Sequence, residues 1–237
     1  MKAEARDIMT RAVPKIFLIG IVYILFSTVL SNLSVRLAGL DIAYGYLNEH
    51  LLLGERPALR LLFPHFSIIG AALLVVINFL MPILDVGFIG CCIKVSRAKK
   101  QISFGELFDG FNMFGKILLL SIIRGIFVTL WSLLLIIPGI VAQLRYSQAY
   151  YILLDDPKKG IMQCLRESKE LMRGNKMDFF ILGLSFLGWI ILGGLVAVFM
   201  PIQIPVVAIW LTPYSGITNA IFYNYLIKYP RPMAEFE

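Results

Sequence analysis

Charge is scarce in this chain: only 16% of its 237 residues are Asp, Glu, Lys or Arg, whereas 59% are apolar. A water-soluble domain carries about a quarter charged residues, so the proportion excludes an ordinary soluble fold and calls for a lipid-like solvent. Cysteine is scarcer still. Cys91, Cys92 and Cys164 are too few for a disulfide framework and lack metal-ligand spacing, which leaves reduced thiols near a cytoplasmic surface. The two histidines, His50 and His65, have no carboxylate or cysteine at helical spacing, so a surface role outweighs metal binding. Enzyme signatures are missing too: there is no H-E-x-x-H, no Walker loop and no dinucleotide-binding glycine pattern. Gly183 to Gly188 (GLSFLG) has the outline of a nucleophile elbow, yet Leu187 fills the second glycine position and no base is placed for Ser185. Packing is the reading for Ser185, and the chain is expected to be no enzyme and to hold no metal or cofactor.

What the chain has instead is long apolar runs, with a mean hydropathy of +0.81. Runs at about 13–34, 67–94, 116–137, 140–155, 177–199 and 205–227 predict an all-α, polytopic membrane helix bundle of six transmembrane helices in a single domain, 1–237. A formal charge of +7 would suit nucleic acid, but Lys and Arg sit in short clusters between the apolar runs. That pattern belongs to loops facing anionic lipid, so membrane lipids are the expected partners and nucleic acid is not. Residues 1–12 read as a short amphipathic or frayed helix on the membrane surface, with no cleavable signal expected before the first span. The connection 36–64 is the most polar on the outer side, with a short helix expected around Tyr44 to Leu53.

Several local signals organise the spans. Pro82 predicts a kink in the second, because its ring lacks an N–H and crowds the carbonyl of Asn78. Ser103 and Glu106 have capping-box spacing, and Phe104, Leu107, Phe108 and Phe111 follow at helical intervals, predicting a cytoplasmic interfacial helix. A second such helix is expected at Ile161 to Met172, where Ile161, Cys164, Leu165, Ser168, Leu171 and Met172 share one face and Gly174 stands at the C-terminal cap. It is either a connector on the headgroups or a docking site for a protein partner. Small residues in the fifth and sixth spans (Gly183, Ser185, Gly188, Gly193, Gly194; Thr212, Gly216, Ala220) predict close helix approach.

Pro138-Gly139 marks a chain reversal. The run after it, 140–155, reaches only about 24 Å as a helix and is either a crossing with a shielded end or re-entrant. Reversal there brings Lys2, Arg6, Arg11, Lys15, both basic connections, Lys228 and Arg231 to one side and leaves Arg36, Arg56 and Arg60 on the other. The positive-inside bias then predicts six crossings with both termini cytoplasmic.

Charges inside the apolar runs are the candidate functional residues. Counting from the inner ends, Asp85 and Arg124 fall at one depth of about 12–13 Å, with Asn219 close to it. Arg145 lies in the short run, about 15 Å from Asp155 and about 10 Å from the reversal, and Asn78 and Tyr223 are further polar neighbours. Asp85, Arg124, Arg145, Asn78, Asn219 and Tyr223 thus form a candidate polar layer. It is either a buried ion-pair network fixing helix register or a site for an anionic or amphiphilic ligand.

The stretches SFGELFDGFNMFGK, LWSLLLIIPGIVAQLRYSQAYYILLDDP, RESKELMRGNK followed by LSFLGW, and TPYSGITNAIFYNYL together resemble a bacterial membrane-protein family, domain of unknown function family 975. The resemblance covers most of the chain beyond about Leu80. It implies a multi-span bacterial membrane protein, distantly similar to the membrane domain attached to some glycerophosphodiester phosphodiesterases, and it implies no established activity or catalytic residues. The expectation is a bacterial cytoplasmic-membrane protein, a non-enzymatic accessory or scaffold of the envelope. The alternative is a small transporter or an export or immunity factor whose path crosses the polar layer.

Overall fold

The computed structural model describes residues 1–12, 15–37, 68–97, 103–199 and 206–229, and all regular structure among them is helical. The helices are α1 (Lys2–Ala12), α2 (Lys15–Leu37), α3 (Ile68–Ser96), a 3-10 helix (Phe104–Met113), α4 (Phe114–Leu134), α5 (Ile136–Arg145), α6 (Ala149–Asp155), α7 (Ile161–Leu171), α8 (Lys176–Phe199) and α9 (Val206–Lys228). The helix expected around Tyr44 to Leu53, and both histidines, lie outside the described residues. The chain forms two compact units, Met1–Ile21 with Ile83–Glu237, and Val22–Pro82.

Four helical segments are long and apolar enough to cross a membrane: Lys15–Leu33, Ile68–Ser96, Phe104–Leu134 and Lys176–Leu195. They expose rows of large apolar side chains, such as Leu184, Leu187 and Ile191 on α8. Such rows would be costly in water and cost nothing against hydrocarbon. In the unit Val22–Pro82, the parts of α2 and α3 it contains expose Leu25, Phe26 and Val29, and Ile68, Ile69 and Val76, in the same manner.

The fourth expected span is built differently from the expectation. Its helix starts at Ile136, and a turn at Tyr146 to Gln148 divides it into α5 and α6. The reversal lies at Leu135, whose extended backbone (φ −163°, ψ 150°) separates α4 from α5. Pro138 sits within the first turn of α5, where a missing N–H leaves no intrahelical bond unmade. Gly139 serves packing: a Cβ there would stand 2.9 Å from the Ser132 Cα. From that point α4 and the α5–α6 pair run antiparallel. Phe127 stacks on Tyr146 with ring centroids 5.9 Å apart, Ser121 Oγ lies 2.9 Å from the Tyr150 hydroxyl, and Lys116 Nζ bonds the Pro157 carbonyl. At the tip, Leu133 to Ile137 are each between 68% and 79% exposed, five large apolar side chains in a row.

The sixth expected span, α9, is helical but is not among those four segments, and polar residues such as Thr212, Ser215, Thr218, Asn219 and Asn224 interrupt its apolar run. Tyr214, Ile217, Thr218, Ala220, Phe222 and Tyr223 are all buried. Its polar groups are satisfied inside the protein, as with Thr218 Oγ1 donating to the Tyr214 carbonyl at 2.7 Å. It packs against α1 and α8, its Pro213 ring lies against Gly20 of α2, and Gly216 lets it approach Cys92 and Phe88 of α3. The small-residue reading thus holds at Gly216. On α8, by contrast, a Cβ at Gly183, Gly188 or Gly194 would meet nothing within 4 Å, and only Gly193 backs onto α9, at Val207.

The two smaller helices also differ in part from expectation. The segment 104–113 is a 3-10 helix joined to α4 without a loop. It buries Leu107 and Gly110, three residues apart, as a three-residue repeat dictates, while Phe104, Phe108 and Phe111 stay exposed. Ser103 occupies the N-cap but its hydroxyl makes no cap bond: the Glu106 N–H donates to the Ser103 carbonyl at 3.1 Å, and the Glu106 carboxylate is turned to Lys94 (3.0 Å). The helix Ile161–Leu171 matches its expected face, with Cys164, Leu165 and Ser168 buried, and Gly174 follows at φ 76°, a conformation that favours glycine. The N-terminal helix α1 buries Ala5 and Met9 and packs on α9.

Candidate functional site

The densest polar network among the described residues ties together the C-terminal ends of α3, α6 and α9. Arg97, one residue past α3, grips Asp155 in a two-pronged contact, Nη1 to Oδ1 at 2.7 Å and Nη2 to Oδ2 at 2.8 Å. Its Nε donates to Asn224 Oδ1 at 2.8 Å, so three of its five N–H groups are engaged. Asn224 Nδ2 in turn donates to Ser96 Oγ at 2.8 Å, and the Tyr223 hydroxyl donates to Asp155 Oδ2 at 2.9 Å. The Tyr151 ring packs on Tyr223 with centroids 5.0 Å apart and closes the network on its apolar side. Its hydrogen bonds to the Asp155 carboxylate push the Arg97 pKa up from an already high value, and partial burial opposes them less strongly. The guanidinium is therefore a permanent charge, and the planar fork suits a carboxylate better than a lysine would.

Two adjoining clefts open beside the network. One, of about 440 Å³, is lined by Met1, Glu4, Ser96, Asn224, Tyr225 and Lys228; the other, of about 540 Å³, by Ser96, Arg97, Asn224, Ile227 and Lys228. A second ion pair, Lys159 with Glu167 at 2.7 Å, fastens the turn 156–160 to α7. That bond raises the Lys159 pKa, with burial opposing it more weakly. Among the described residues no group of three His, Cys, Asp or Glu side chains is placed to hold a metal ion.

The six residues singled out from sequence are distributed as follows. Arg124, on α4, holds its guanidinium 5.3 Å from the centre of the Tyr150 ring, a cation–π contact in partial burial. Tyr223 is buried and belongs to the Arg97 network. Arg145 is the last residue of α5, with its Nε buried and unbonded. Asp85 is half-buried between the buried Leu84 and Val86 of α3, and Asn219 is half-buried on α9. Asn78, in the unit Val22–Pro82, turns its amide back to the Leu74 carbonyl at 2.8 Å. The described partners of Arg124 and Tyr223 are thus Tyr150 and Asp155, neither of them among the six. The sequence pattern does not single out Arg97, Asp155, Asn224 and Ser96, whose partners lie on other helices far along the chain. Their common place near the C-terminal ends of three helices was the available signal.

No curated protein and no solved structure matches the chain. The family described as "Protein of unknown function (DUF975)" matches it over residues 1–142 and 133–229. Those two segments take in nearly all of the sequence, including every helix of the network, and the chain belongs to that family.

Proposed function

We propose that the chain crosses the bacterial cytoplasmic membrane six times, with both termini cytoplasmic, and acts there as a non-enzymatic accessory or scaffold of the envelope. The observation that carries this reading is the Arg97 network. Its ion pair and hydrogen bonds lock the ends of three helices to one another, which suits a static frame better than a path that must open and close. Two features support the six crossings. The α5–α6 pair returns alongside α4 as far as Lys116, and α9 has the length of a span with its polar groups satisfied by protein.

Threading is tested by labelling single cysteines in a cysteine-free background with a membrane-impermeant thiol reagent on intact cells. A cysteine at Arg56 is expected to react, and one at Lys158 only after the cells are opened. Reaction at both positions in intact cells overturns the topology. The scaffold reading is tested in proteoliposomes loaded with carboxyfluorescein, a probe for amphiphilic anions. No protein-dependent release is expected. Saturable release that disappears in Arg124→Gln favours the transporter instead.

A further inference from the structure

Four cations collect where α5 ends, α7 turns and α8 begins. Arg145 closes α5, and Ser168 of α7 bonds its carbonyl at 3.0 Å while accepting the Gln148 N–H at 3.1 Å, which pins α7 against that helix end. Lys169 follows Ser168, and Arg173 stands just before the Gly174 turn. The Asn175 amide holds that turn through the Leu171 carbonyl at 3.0 Å, so that α8 opens at Lys176 and runs beside α5. The charges that act on Lys176 are Arg145, Lys169 and Arg173, all positive. None of the four has a carboxylate at ion-pair distance among the described residues, in contrast to Lys94, Arg97 and Lys159. Counting the exposed Glu170 and Asp178 nearby still leaves an excess of positive charge.

The place of this charge in the fold favours an anion, for Lys176 stands on the first residue of a 24-residue helix, the end whose dipole repels cations and attracts anions. The surroundings select the kind of anion. From Lys176 the exposed face of α8 continues through Leu184, Leu187 and Ile191, and Ile137 and Ile140 of α5 are exposed as well. A phosphate with hydrocarbon attached fits both halves.

We infer that Arg145, Lys169, Arg173 and Lys176 bind the phosphodiester of an anionic phospholipid, whose acyl chains lie along α8. The inference rests on α8 spanning the membrane, as in the function proposed above, but not on the scaffold role. It therefore stands or falls separately from the flux experiment.

The test titrates the full-length protein in neutral detergent with short-chain phosphatidylglycerol, phosphatidylcholine and inorganic phosphate, reading affinity by native mass spectrometry and melting temperature. Phosphatidylglycerol is expected to bind and raise the melting temperature, with phosphatidylcholine and free phosphate weaker. Lys169 and Arg173 are exposed, so Lys169→Gln/Arg173→Gln should fold normally while weakening phosphatidylglycerol by about fivefold per charge removed. Lys158→Gln/Arg166→Gln, which removes two exposed cations outside the cluster, should leave the affinity unchanged. Equal loss in the two double variants overturns the site in favour of diffuse attraction. Equal response to inorganic phosphate overturns the lipid assignment, and equal binding of phosphatidylcholine overturns the anion requirement.

Discussion

Gly87→Ala is expected to leave no folded protein to purify, whereas Gly188→Ala should purify and melt at or above the wild-type temperature. A Cβ at Gly87 would overlap the backbone carbonyl of Leu107, and one at Gly110 would come within 2.5 Å of the Ile83 carbonyl, so the 3-10 helix lies backbone to backbone on α3. A side chain can change rotamer to admit a methyl group, but two backbones must separate. Overpacking a core by a methylene costs about 1–3 kcal/mol, and this site exceeds that range because nothing flexible is there to yield. At Gly188 a Cβ meets open space, and alanine gains about 1 kcal/mol of helix propensity over glycine. The measurement is the monodisperse fraction on size exclusion in detergent, followed by a melting curve. A Gly87→Ala protein that melts like the wild type would mean that 104–113 does not rest on α3.

Asp155→Ala should lower the melting temperature through the Arg97 network, and Arg97→Ala should lower it as much or more, because it leaves a carboxylate facing only Tyr223. Both partners are about 30% exposed, so solvent screens part of the attraction and the loss is about 1–2 kcal/mol. For a chain of this size that corresponds to a fall of about 2–8 °C. The double variant separates coupling from simple truncation: with a true pair, Arg97→Ala/Asp155→Ala melts close to the worse single variant. Additive losses would show that the two residues act independently.

Much of the architecture could be read from the chain because a bilayer imposes simple rules on length and apolarity. Five of the six expected runs coincide with long helices to within a few residues, as with 67–94 and Ile68–Ser96. The face Cys164, Leu165, Ser168 and the cap at Gly174 were equally legible, since both depend on neighbours within a turn or two. The three-residue repeat of 104–113 was not, because its burial is set by Gly87 and Ile83 on another helix. Nor was the central place of α9, whose tyrosines and asparagines look like interruptions until their partners are known. Arg97 and Asp155 are 58 residues apart in sequence, and only the folding of α6 beneath α3 and α9 makes them neighbours. Charge counting assigned them a side of the membrane but not a partner.

The one-residue reversal at Leu135 has a consequence for how the chain enters its membrane. No charged residue lies between Arg124 and Arg145, and the tip itself is wholly apolar. Carrying a lysine, arginine or aspartate to the middle of a bilayer costs about 2.5–3.5 kcal/mol on insertion scales, and this tip carries none. The α4–α5 hairpin can therefore slip in from one side as a single folded wedge. Its biogenesis needs no polar loop to be hauled across, whereas the topology proposed above requires translocation of the connection 36–64, with its acids, arginines and histidines.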